Sequence, residues 1–119
     1  MAQKALYSNI LQDFARPLLS SKDTDEEFMR KMKVIEIIWN YSIAKKFRLS
    51  VFKELDKIIT EQNRKHIERK AVFEMFLELK KSEYGQYNNY IIKMELREKS
   101  DGTKTLYVES ADPTQIKIK

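Results

Sequence analysis

The residues able to do chemistry fall into a few small groups, and each can be weighed on spacing alone. His66 is the single histidine, and Arg64, Lys65, Arg69 and Lys70 surround it. A general base needs a nucleophile beside it and an acid to orient it, and a run of cations supplies neither. Zinc-type centres draw on several His or Cys ligands, whereas the chain has this one histidine and no cysteine. Glu74 and Glu78 stand one helical turn apart. Lys70 and Lys81 are spaced to pair with them, and no second feature supports a glycosidase-like carboxylate pair. There is no glycine-rich phosphate loop. The cluster Asp23, Asp25, Glu26 and Glu27 reads as the start of a helix rather than a cation site, because Thr24 and Glu27 have capping-box spacing. On these grounds no catalytic residue, metal site or cofactor is expected.

Charge offers a different chemistry. The net charge is +5, and residues 45–81 hold eleven basic against six acidic side chains, while the segments on either side are balanced. Lys45, Lys46, Arg48, Arg64, Lys65, Arg69 and Lys70 could therefore form a phosphate-binding surface. The competing reading is a solvated helical surface whose charges pair along the helix. Tyr84, Tyr87 and Tyr90 recur every three residues. They could stack on single-stranded nucleic acid, or pack where a helix end meets a sheet. Lys33, Glu36 and Asn40 form a polar stripe on an otherwise apolar segment. It is either that segment's narrow solvent face or a buried Glu36–Asn40 pair that needs partners.

These groups must be positioned by regular elements. At 119 residues, with 2 glycines and 2 prolines, the chain suits one domain, residues 1–119, of long elements and few tight loops. The N-terminus lacks the apolar run of a secretory signal, so a cytoplasmic location is expected. No stretch reaches the roughly 20 apolar residues of a membrane span.

Helix 1 is expected over 3–15 from the spacing of Leu6, Ile10, Leu11 and Phe14, closed by Pro17. Helix 2, over 25–47, is apolar on nearly every side and holds the only tryptophan, Trp39, so it should be the buried central element. Helix 3 should start after Ser50 as N-cap, with Leu55, Ile58 and Ile59 inward. Asn63 marks the expected break before helix 4, which runs to Glu83; one bent helix is the alternative. Helix 4 carries a row of Ile67, Ala71, Met75 and Leu79 and a second face with Phe73 and Leu77, suggesting that it is covered on two sides.

After Gly85 the period changes from helical to alternating. Ile92, Met94 and Leu96 form the apolar face of one strand, about 90–98, and Leu106 and Val108 that of another, about 103–110. A two-residue Asp101–Gly102 loop would place Leu106 and Val108 on the wrong face. A three-residue loop, Ser100–Gly102, pairs Leu96 with Leu106, Met94 with Val108 and Lys93 with Glu109, with Gly102 left-handed. The hairpin needs a platform, helix 2 or helix 4. Residues 111–119 are a tail or, through Ile116–Lys119, a third strand. A winged-helix reading is disfavoured because Phe73, Phe76, Leu77 and Leu79 make helix 4 too apolar to lie in a groove.

The sequence therefore specifies an α+β domain of four helices followed by a C-terminal antiparallel hairpin packed on them. The functional expectation is a non-enzymatic protein-interaction domain, self-associating through the hairpin edge or the tail. The alternative is nucleic-acid binding through residues 45–81.

Overall fold

A computed structural model describes residues 2–65 and 67–113, without the side chains of residues 2–6, 67 and 68. The elements are α1 (Ala2–Ala15), α2 (Asp25–Phe47), α3 (Phe52–Lys65), α4 (Ile67–Glu83), β1 (Tyr90–Glu98) and β2 (Lys104–Ala111). His66 and the Ile116–Lys119 tail lie outside the described residues.

α2 is the central element. Its start is fixed by a full capping box: the Thr24 hydroxyl accepts from the Glu27 N–H and the Glu27 carboxylate accepts from the Thr24 N–H. Its end is fixed by Arg48, which takes the left-handed conformation (φ 56°) usually given to glycine and returns its N–H to Ala44. Between these caps Met32, Ile35, Trp39, Ile43 and Ala44 have no exposed surface. This burial follows from α2 packing on α1, α3, α4 and β1 together. The Phe14 ring of α1 links the three helices, meeting Trp39, Phe76 and Tyr84 edge-on at 5.2 to 5.3 Å.

α3 begins at Phe52, with the Val51 carbonyl accepting from the N–H groups of Glu54 and Leu55. Val51 rather than Ser50 thus opens the helix, because the left-handed turn at Arg48 and the burial of Leu49 delay it. α3 also continues through Asn63 to Lys65. The chain does fold back after it. The rings of Phe52 and Phe73 both stand against Tyr41, at 5.1 and 5.4 Å. A straight helix would hold residues that far apart in sequence about 30 Å apart.

The hairpin has the expected register: Leu96 faces Leu106, Met94 faces Val108 and Lys93 faces Glu109. Gly102 is left-handed (φ +88°), and Lys99 and Thr103 close the three-residue loop. A bulge at Ile92 breaks the expected alternation. Ile91 is buried in its place and Ile92 is 51% exposed. Of the two expected platforms α2 is found, under β1, while β2 lies on α1.

The two helices also engage the hairpin's outer edges. The Ser8 hydroxyl donates to the Leu106 carbonyl at 2.8 Å, which points outward because Leu96–Leu106 is a non-hydrogen-bonded pair. On the other edge, the Asn40 amide donates to the Ile91 carbonyl (2.9 Å) and accepts from the Ile91 N–H (2.8 Å). One side chain thus stands in for a neighbouring strand. The opposite face of the hairpin is polar: Glu95 pairs with Lys93 and Arg97, and the Arg97 guanidinium covers Tyr107 at 3.7 Å.

Asn40→Ala would leave the buried N–H and carbonyl of Ile91 without partners, at a cost of about 2–4 kcal/mol. Urea unfolding measures it. Asn40→Asp keeps the acceptor, loses the donor and should also destabilise. A loss below about 0.5 kcal/mol for Asn40→Ala would rule out this edge pairing.

Candidate functional site

The cations singled out in the sequence all lie on the surface, but in two groups. Lys45, Lys46 and Arg48 stand where α2 ends. Arg64 and Lys65 end α3, and Arg69 and Lys70 begin α4. The length of α3, about 20 Å, separates the groups along the chain path. Lys46 donates to Asn88 Oδ1 at 2.9 Å, and Arg69 to Gln62 Oε1 at 2.9 Å. The ion pairs among the described residues are Arg16–Asp13, Lys31–Asp23, Lys93–Glu95, Arg97–Glu95 and Lys104–Asp25. The helical pairs expected for Lys70 with Glu74 and Lys81 with Glu78 are therefore not formed.

Asn40 and Glu36 have different environments. Asn40 is 5% exposed, and its amide both donates to and accepts from Ile91, not Glu36. Glu36 is half-buried, and burial pushes its carboxyl up while Lys33 opposes that. Tyr84, Tyr87 and Tyr90 are half-buried in the interior packing. Tyr84 meets Phe14 and Tyr87 meets Tyr7 edge-on, so neither ring is a free stacking platform. A groove of about 540 Å³ lies on α1 and the turn after it, lined by Asn9, Gln12, Asp13, Arg16 and Leu19. It contains neither Glu36 nor Asn40.

Lys80 is the residue that sequence reasoning missed. It is 2% exposed. Its ammonium donates to the carbonyls of Tyr84 (2.8 Å) and Tyr87 (2.9 Å) and lies 4.6 Å from the centre of the Trp39 ring. The signal was present, because Lys80 is i+7 from Phe73 and i+4 from Phe76, on the helix's inward line. Desolvation, reinforced by Lys46, lowers its pKa to about 8. The two carbonyls and the indole face are the groups that hold its charge.

The inward line of α4 is therefore Phe73, Phe76, Leu77 and Lys80, continued by Tyr84 just past its end. The other apolar row points outward. Val72 is 38% and Met75 46% exposed, Ala71 is exposed beside them and Leu79 is half-buried. Leu79 still packs against the core, so among the described residues the uncovered part of this row is Ala71, Val72 and Met75. No helix of the described residues is long and apolar enough to cross a membrane. No family model, curated protein or solved structure matches the chain.

The Lys80 environment sets a pH dependence. The folded amine releases its proton at about pH 8 and the unfolded one at 10.5. Between these values the unfolded chain binds more protons, so stability rises with pH. Burial and the Asp13 contact raise Tyr84 from 10.0 to about 12, so above pH 10 the unfolded chain loses that proton first and stability falls. Denaturation between pH 7 and 11 should show a maximum near pH 10. Lys80→Met should remove the rise between pH 8 and 10, and an unchanged slope in that variant would contradict the assignment.

Proposed function

We propose that the chain is a non-enzymatic protein-interaction domain that docks its partner on the outward ridge of α4. The observation that carries this reading is the ridge itself: Val72 and Met75 at i and i+3, 38% and 46% exposed, continued at i+7 by Leu79, which is half-buried against the core. An apolar line of that spacing is what a helix presents to another helix. Isolated surface apolar residues need no explanation, but a continuous line does. The hairpin is the weaker docking element, because Ser8 and Asn40 engage one position on each edge.

A photo-cross-linking residue at position 75, introduced in cells, should yield an adduct with a second polypeptide. The same group at position 92, on the isolated exposed Ile92, should not. Absence of adducts at position 75 would sink the interaction reading.

A second reading is nucleic-acid binding, favoured by one observation. None of the seven basic side chains named above has an acidic partner among the described residues. Its strongest part is the corner formed by Arg64, Lys65, Arg69 and Lys70. Reversing those four charges should abolish retention on nucleic acid at low salt, and wild-type retention should fall steeply as salt rises. Retention that ignores both changes would eliminate this reading.

A further inference from the structure

We infer that the occupant of the α4 ridge is a second copy of this chain, paired antiparallel across a two-fold axis near Met75. The inference rests on the docking reading above and adds the identity of the partner.

The ridge is self-complementary in shape. With the axis at Met75, each Met75 meets its counterpart and each Val72 meets the open side of the other copy's Leu79, whose inner side packs against its own core. This gives three apolar layers from residues at i, i+3 and i+7. Charge then selects the direction. Arg69 and Glu83 lie seven residues before and after the buried Phe76, on the row between the ridge and the inward line, near opposite ends of α4. Both are exposed. Arg69 donates to the neutral Gln62 amide, and Glu83 is in none of the ion pairs among the described residues. An antiparallel pair brings each Arg69 beside the Glu83 of the other copy, twice by symmetry. A parallel pair would gather both arginines at one end and both glutamates at the other. Antiparallel packing also opposes the two helix dipoles favourably.

The seam is short. A helix of 17 residues is about 25 Å long and offers less than a standard interface, so association is expected only above about 10 μM.

The chain has no cysteine, which makes single-cysteine reporters unambiguous. Met75→Cys places the two thiols on the axis and should form a disulfide-linked dimer at least about tenfold faster than Ile92→Cys. Sedimentation velocity should show wild-type dimer growing with concentration. Arg69→Glu should weaken it about tenfold, and Arg69→Glu/Glu83→Arg should restore it. A wild-type chain that stays monomeric up to roughly 500 μM overturns the proposal. So do equal oxidation rates for the two cysteine variants, or failure of the double charge swap to restore association. If the chain is monomeric while a cross-linker at position 75 captures a different polypeptide, self-pairing fails and the docking reading survives. If position 75 captures nothing, both fail.

Discussion

The structure depends on satisfying the backbone of one segment, residues 84–91, where the chain passes irregularly from α4 into the start of β1. An irregular stretch packed against a core cannot leave its N–H and carbonyl groups without partners. Here side chains from three helices supply them. Lys80 takes the carbonyls of Tyr84 and Tyr87, and Lys46 reaches Gly85 and Asn88. The Tyr7 hydroxyl accepts from the Asn89 N–H, the Trp39 indole donates to its carbonyl, and Asn40 takes both groups of Ile91. The segment is the point where α1, α2 and α4 converge. Gly85 fits because a Cβ there would come within 3.0 Å of the Lys81 carbonyl.

This arrangement explains why α2 is both apolar and polar in the same turn. Trp39 and Asn40 are adjacent, and both are buried. Trp39 fills the space between α1 and α4, while its N–H reaches Asn89. Asn40 points to β1 and substitutes for a strand. A two-stranded sheet is marginal alone. Its stability here comes from lying on α1 and α2 with each edge hydrogen-bonded to one of them. Lys80 is the costly member of the set: a buried ammonium with carbonyls and an indole face around it but no carboxylate. Its position in the last turn of α4 lets it reach the Tyr84 and Tyr87 carbonyls just past the helix, the first of which also accepts from the Tyr87 N–H.

What could be read from the sequence was local. The capping box at Thr24, the left-handed Gly102 and the hairpin register each follow from a few neighbouring residues and a strict period of two or 3.6. What could not be read was long-range. Asn40 pairs with a residue 51 positions away, and nothing in its own helix distinguishes that role from a solvent-facing one. The bulge at Ile92 escaped for a related reason. Ile91 and Ile92 are equally apolar, so only the demand of Asn40 for the Ile91 backbone decides which enters the core. The i,i+3 and i,i+4 charge pairs on α4 were legible as possibilities, but long exposed side chains gain little from such pairs.

The misreading of α4 concerns function most directly. Its sequence carries apolar residues on two sides, which suggested two covered faces. Among the described residues the main cover lies on one side, where Phe14 and Trp39 reach Phe76 and Lys80. The other row, Val72 and Met75, stays exposed. Apolar periodicity shows that a face wants burial, not that the same chain provides it. The two faces also divide the labour of the helix. The inward line carries Lys80 and hence the 84–91 segment, so changes there act through stability. Of the outward line, Leu79 packs against the core, whereas Val72 and Met75 stay exposed, and no packing among the described residues explains their apolar character. That separation is the physical ground for the proposal that a partner docks on the ridge.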